Sequence, residues 1–308
     1  NIESQIEFLG CSNHRTETST KGFFERLKDL VAYHDMPVAT LTYYLHSFMS
    51  EAISEAGCRV AISGNGADEL FTGYYDHYSF WLAEMKNKNS FTDLQSDWQK
   101  SYGAYVQNPV LQDPLVFFKN PLERGHIFLN SETFNAWLHD PFEETFEESE
   151  YSNNLLRNRM LNEIRHETIP VILHEDDRNS MYYSVENRSP YLDRDLAEFL
   201  FQIPPELLIK NGYVKYLLRA AGTGFVSDNV LWDKRKRGFN APIDHLVDRK
   251  DKVTREHLMA DGPIFDIVRK DKIESYLNSD LTDNSFSKNL FSFISAKLFL
   301  EHYQDWNP

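Results

Sequence analysis

Residues 58–75 read Cys58-Arg-Val-Ala-Ile-Ser63-Gly64-Asn65-Gly66-Ala-Asp68-Glu69-Leu-Phe-Thr-Gly73-Tyr74-Tyr75, and the fold is decided here. Cys58 to Ile62 is short, apolar and partly β-branched, which suits a buried strand of an α/β sheet. Ser63-Gly64-Asn65-Gly66 breaks it, and two residues without a Cβ let backbone N–H groups turn toward an anion. Ala67 then reads as a helix start. Strand, glycine turn and helix N-terminus together place donors at the carboxyl edge of a sheet, where open α/β folds bind ligands. Asp68 and Glu69 follow within one turn, and carboxylates beside a phosphate site usually serve Mg²⁺, a hard dication that prefers oxygen. Pattern alone leaves open a plain tight turn followed by dipole compensation.

A second informative block runs His174-Glu-Asp-Asp-Arg-Asn-Ser-Met-Tyr-Tyr-Ser-Val-Glu186-Asn-Arg188-Ser-Pro-Tyr-Leu-Asp193. So many charges ahead of a proline cannot form an apolar core strand, so they must pair with one another or line a polar cleft. For Glu186 and Arg188 both readings stand: a buried ion-pair network joining two halves of a domain, or a direct role toward substrate. A third block is Gly212-Tyr-Val-Lys215-Tyr-Leu-Leu-Arg219, and a fourth Lys234-Arg-Lys236-Arg-Gly-Phe-Asn-Ala-Pro242. In isolation the fourth would pass for a nuclear localisation patch, and Lys215 for a surface lysine on an amphipathic helix.

Together these blocks resemble the asparagine synthetase family. Residues 63–74 are similar to its Ser-Gly-Glu-Gly-Ala-Asp-Glu-Leu-Phe-Gly-Gly-Tyr signature. The second block is similar to Asp-Arg-x-Ser-Met-x-x-Ser-x-Glu-x-Arg-x-Pro-Phe-Leu-Asp, with matches at Asp177, Arg178, Ser180, Met181, Ser184, Glu186, Arg188, Pro190, Leu192 and Asp193. The others resemble Gly-x-x-Lys-x-x-Leu-Arg and Arg-x-Lys-x-Gly-Phe. The resemblance covers roughly residues 7–300. It implies an α/β, mainly helical chain forming part of a PP-loop ATP pyrophosphatase domain with a small parallel sheet. It implies ATP and Mg²⁺ as cofactors, with Ser63, Gly64, Gly66, Asp68 and Lys236 around the pyrophosphate and Asp68 on the metal. Lys215 takes the place of the catalytic lysine, where an ammonium suits the charge developing on the way through an acyl-adenylate. Glu186, Arg188 and Tyr74 are expected at the substrate side or in support of it.

Composition permits this. At 308 residues and 41% hydrophobic, the chain can bury one large core or two modest ones. Its formal charge of −15 argues against nucleic acid or an anionic membrane as the main partner, since both need a basic face. Cys11 and Cys58, far apart in sequence, do not make a disulfide framework, and a reducing cytoplasm is the simplest setting. No run of about 18 apolar residues and no export signal is visible.

Residues 1–10 could finish a helix before Gly10. Phe23, Phe24, Leu27, Leu30 and Val31 mark one face of a helix ending near His34, before an Asp35-Met36-Pro37 turn that resembles the family's Asp-Glu-Pro. Another runs from about Thr42 to a stop at Gly57. From Asp76 to Ser149, Pro109, Pro114, Pro121 and Pro141 cut an aromatic-rich stretch into short helices. The acidic run Glu143-Glu144, Glu147-Glu148 reads as a solvated face, and His77, His126 and His139 lack ligand spacing. A long helix is expected over 151–168, stopping before Pro170, and a last docking helix around Leu290–Phe299. The expected division is a single domain, with an α/β nucleotide-site part over 1–75 and a mainly helical part over 76–308.

Two departures bear on function. Nowhere does the sequence carry the Ser-Gly-Gly-x-Asp-Ser loop that holds ATP phosphates in the family, nor the glutaminase domain with its leading cysteine. The chain therefore reads as the downstream part of a longer synthetase, probed by the prediction that alone it is inactive. The second departure is Asn65, where asparagine-forming members carry glutamate, because an amide cannot take a proton from incoming ammonia. The reading is an ATP-dependent ligase that adenylates a carboxylate, aspartate or a related acid, and transfers glutamine-derived ammonia, releasing AMP and pyrophosphate. An amidotransferase acting on a sugar or other metabolite carboxylate, and a non-catalytic scaffold that lost its ATP site, are the alternatives. Expected partners are the small carboxylate, ATP, ammonia or glutamine and a glutaminase domain upstream or in trans; a homodimer is also compatible.

Overall fold

The computed structural model describes residues 2–127, 131–142, 146–235, 242–279 and 284–304. Apolar periodicity makes most of the helices. In α2 (Phe23–His34), Phe23, Leu27, Leu30 and Val31 are buried, and Asp35 ends it in the left-handed region at φ 55°. Before it lies α1 (Ile2–Leu9), with no buried residue. After the Pro37 turn, α3 (Leu41–Glu55) leads through Gly57 into β1 (Val60–Ile62). Short α4 (Ala67–Phe71), the buried α5 (Tyr75–Glu84) and α6 (Phe91–Lys100) follow, then α7 (Val116–Lys119) and α8 (Ser131–Asn135).

The helix expected over 151–168 is two helices, α9 (Leu155–Arg165) and α10 (Thr168–Tyr182). Pro170 does not stop a helix; it sits in the first turn of α10, where its missing N–H costs nothing. Asn154 caps α9 by accepting from the Arg157 N–H at 2.9 Å. The charged block from His174 is thus helical up to Tyr182. Its polar residues turn toward α2 and α3: Glu175 accepts from the Ala39 N–H at 2.9 Å and Asn179 donates to the Tyr43 carbonyl at 2.9 Å. Ser184, left-handed at φ 57°, turns the chain into β2 (Glu186–Arg188).

β1 and β2 form a parallel pair with Val60 opposite Glu186 and Ile62 opposite Arg188. Among the described residues each strand has only the other as partner. The expected buried strand is therefore corrected: it is three residues long, Cys58 is exposed, and Ile62 is 76% exposed. Arg59 and Ser63 spend their backbone groups on β2, so those of Val60 and Ile62 face the opposite edge. The chain continues through α11 (Arg194–Gln202), α12 (Tyr216–Ala221), α13 (Asp228–Leu231), α14 (Lys252–Met259), α15 (Lys270–Leu277) and the docking helix α16 (Asn284–His302). None of the described helices is long and apolar enough to cross a membrane.

Two apolar clusters result. One packs α2 and α3 against α14–α16, with Leu27, Val31, Ile273, Leu290 and Phe291 at its centre. The other surrounds α5, with Leu70, Phe80, Trp81, Phe117 and Leu156. A buried ionic network joins α5 to α9. Arg159, 5% exposed at its side chain, reaches Asp76 at 3.5 Å, Glu148 at 2.8 Å, Glu163 at 3.2 Å and Glu167 at 2.5 Å. Arg124 meets Glu148 at 2.5 Å. This corrects the solvated reading of the acidic run: Glu147 is exposed, but Glu148 is held by two guanidiniums, while Glu143 and Glu144 lie outside the described residues.

Burial pushes the Glu148 carboxyl up, but Arg124 and Arg159 more than offset it and hold it below the usual range. A folded pKa below the unfolded one gives stability that is present above the unfolded value and lost as pH falls through the folded one. Unfolding free energy should therefore fall as pH drops below about 4.3, the unperturbed glutamate value, and Glu148→Gln should flatten that slope. Urea titrations of both proteins between neutral and acid pH check it; parallel slopes would refute it.

Candidate active site

The glycine loop is built by close approach. Ser63 continues β1, its N–H donating to the Arg188 carbonyl at 2.8 Å, and its hydroxyl lies 3.0 Å from that of Ser189. Gly66 is left-handed at φ 89°, and a Cβ there would lie 2.4 Å from Cδ2 of Leu192. Only glycine meets both conditions. The loop is thereby seated on the turn after β2, so the first two sequence blocks form one edge.

Asp68, in α4, reaches across Gly73 to the Lys215 ammonium at 2.6 Å. A Cβ on Gly73 would lie 1.6 Å from Asp68 Oδ1 and 2.4 Å from Lys215 Cε, so this contact requires glycine. Thr72 and Lys215 are both left-handed, at φ 66° and 55°, conformations that side-chain-bearing residues hold only when their surroundings impose them. Shared carbonyls impose them here. Leu208 O accepts from the Tyr216 N–H at 2.8 Å and the Thr72 hydroxyl at 3.4 Å, and the Tyr102 hydroxyl donates to Gly73 O at 3.0 Å. Lys215 is thus not a lysine on a helix surface but the residue preceding α12, fixed against a carboxylate.

Glu69 points the other way. It is 1% exposed and accepts from the Tyr74 hydroxyl at 2.5 Å, which makes both residues structural supports of the turn. Burial first, then the charge and hydrogen bond of Glu69, raise the Tyr74 pKa far above that of free tyrosine. Glu186 and Arg188 pair at 2.8 Å on the outer face of β2, with side chains 59% and 60% exposed. They do not form the buried network that was one of their two readings. Lys236 lies outside the described residues.

Asn65 makes a contact that its sequence neighbours did not suggest. Its amide donates to Asp176 Oδ2 at 2.7 Å, and the other oxygen of Asp176 is 3.0 Å from His46 Nδ1. Asp176 is on α10 and His46 on α3, so three separate elements meet behind the loop. Asp176 adjoins the matched Asp177 but lies outside the quoted pattern, and no spacing rule links it to position 65. A glutamate at 65 would face this carboxylate with like charge.

Asp68 is a partly exposed carboxylate with the Lys215 ammonium 2.6 Å from Oδ1; a single carboxylate is the kind of anchor Mg²⁺ takes when phosphates supply further ligands. The asparagine synthase family description matches residues 2–301. Asparagine synthetase [glutamine-hydrolyzing] 1 of Bacillus subtilis (strain 168) is 28% identical over 304 residues, covering 90% of this chain and 46% of that protein. Asparagine synthetase [glutamine-hydrolyzing] 3 of the same organism is 26% identical, covering 76% and 35%. Amidase chry2 of Gibberella zeae is 22% identical, covering 77% and 40%. The chain thus spans less than half the length of these relatives. With the match running across nearly all 308 residues, the chain belongs to the asparagine synthase family.

Proposed function

We propose that this chain is the downstream part of an ATP-dependent amide-forming ligase. The observation that carries the reading is the Lys215–Asp68 pair held over Gly73 beside the Ser63–Gly66 loop. In the reaction, a carboxylate oxygen attacks the α-phosphorus of ATP and pyrophosphate leaves; ammonia then attacks the acyl carbon of the adenylate and AMP leaves. Ser63 and the backbone N–H groups of Gly64 and Gly66 bind the pyrophosphate, and Lys215 stabilises the charge that develops at phosphorus and on the tetrahedral intermediate. Asp68 would hold Mg²⁺, which when bound would supply charge neutralisation for the leaving pyrophosphate. The phosphate-loop part of the domain docks on the open edge of β1, where Val60 and Ile62 are exposed, since parallel strands are ordinarily covered. The glutaminase function belongs to a further domain or partner.

Asn65 favours an acceptor other than aspartate. Asp176 engages its amide nitrogen, so its carbonyl is left to accept a hydrogen bond from an amine rather than to take a proton. The proton acceptor is then Asp176, whose other oxygen lies 3.0 Å from His46 Nδ1. A sugar acid or another metabolite carboxylate is the substrate class this supports. The test is acid-dependent pyrophosphate exchange by the full-length polypeptide across amino acids and uronic acids. A carboxylate other than aspartate should give the fastest exchange, Asn65→Glu should not raise it, and the 308-residue chain alone should give none. Aspartate as best acceptor by a wide margin would overturn the substrate class, and robust exchange by the 308-residue chain would overturn the need for a separate phosphate loop.

A further inference from the structure

The network between α5 and α9 holds more negative charge than its guanidiniums meet. Among the described residues the carboxylates of Asp76, Glu148, Glu163 and Glu167 face two guanidiniums, Arg124 and Arg159; with neutral imidazoles two negative charges remain over, three of the four carboxylates being at most 12% exposed and Glu167 21% exposed. Two imidazoles stand among them. His77 Nε2 is 2.7 Å from Glu163 Oε2, and His126 Nε2 is 3.2 Å from Asp76 Oδ2. Both rings bury an Nδ1 with no hydrogen-bond partner among the described residues. Unpartnered buried nitrogens are costly, and they mark this as a polar centre whose internal bonds leave donors or acceptors over.

Asp76, His77 and Glu163 each bring a ligating atom to within 4.8 Å of the other two, and all three residues are buried. Bonds of about 2.1 Å at a tetrahedral centre require about 3.4 Å between ligand atoms, so the 2.7 Å His77–Glu163 contact must open and any pair near the 4.8 Å limit must close, with Asp76 Oδ2 giving up its contact to His126. The surroundings also suit a metal centre. Arg159 Nε lies 3.2 Å from the Glu163 oxygen not facing His77, and the Asp76 Oδ1 accepts from the His77 N–H at 3.0 Å, so the outer carboxylate positions are already hydrogen-bonded.

We propose that Asp76, His77 and Glu163 form a structural site for a borderline divalent transition ion such as Zn²⁺, separate from the magnesium position at Asp68. An imidazole among the ligands disfavours Mg²⁺ and Ca²⁺, which take oxygen. A dication cancels the two uncompensated charges. Its structural role is to clamp the start of α5 to α9, and α5 begins two residues after Gly73, over which Lys215 and Asp68 meet.

The chain expressed in Zn²⁺-supplemented medium should retain about one Zn²⁺ per molecule after gel filtration in buffer without chelator, measured by elemental mass spectrometry. His77→Gln and Glu163→Gln should each lower retention by at least about 10-fold, while His139→Gln, at an exposed position, should not. Should either variant fail to fold, the wild-type chain refolded with Co²⁺ should show visible ligand-field absorption, and stoichiometric Zn²⁺ should displace it. Wild-type protein without stoichiometric Zn²⁺ and without Co²⁺ absorption would overturn the site. Retention unchanged in His77→Gln would overturn it as well.

Discussion

Gly73→Ala should lower ATP-dependent turnover of the full-length polypeptide on the order of 10²-fold or more, the range for removing a preorganised charge from a developing anion. The methyl would stand 1.6 Å from Asp68 Oδ1, inside any tolerable contact, so the carboxylate, the ammonium or the turn must move. Lys215→Ala removes the same charge outright and should cost about as much. If Gly73 acts by seating Lys215, the two changes share one interaction, and the double variant should be little worse than Lys215→Ala alone. Steady-state kinetics on the three variants measure this. Near-wild-type turnover of Gly73→Ala would mean that the Lys215–Asp68 pair is not part of the chemistry.

Arg159→Met should destabilise the chain by about 3–5 kcal/mol, because taking one partner from a buried ionic cluster leaves its counter-charges uncompensated. Four carboxylates meet this guanidinium within 3.5 Å, and its side chain is 5% exposed. The loss is largely the cost of stranded charge, so adding Glu163→Gln should restore part of it. Urea denaturation of the 308-residue chain reads both effects, and a loss under about 1 kcal/mol, as for an exposed ion pair, would contradict the account. Zn²⁺ in the Asp76–His77–Glu163 centre would narrow the difference between wild type and variant, since a bound dication meets part of the same charge.

Local chemistry decided a good deal of the fold. The apolar spacing in Phe23–Val31 fixes a helix face in any context, and a glycine at 57 with positive φ stops α3. The Ser63–Gly66 turn between strand and helix was legible, since it rests on neighbours in sequence. Where distance along the chain mattered, sequence ran out. Pro170 looked like a helix stop, yet the chain restarts at Thr168 and carries it in a first turn. Glu148 looked solvated until Arg124 and Arg159 closed on it from either side.

The residues that count in the candidate site divide the same way. Asp68 and Lys215 were each recognisable from their own motifs, 147 positions apart, but that they touch, and that Gly73 must lack a Cβ for them to do so, follows only from how α4 and α12 pack. Asp176 carries no signal of its own, because a carboxylate on an amphipathic helix is ordinarily at the surface. Its two oxygens meet His46 and Asn65 only because α3 and the Ser63–Gly66 loop pack against α10. His77 and Glu163, 86 residues apart, show no ligand spacing for the same reason. Sequence sets what a residue can do within a few turns of itself; which groups share a dry, low-dielectric volume, and so feel each other's charge strongly, is set by tertiary packing alone.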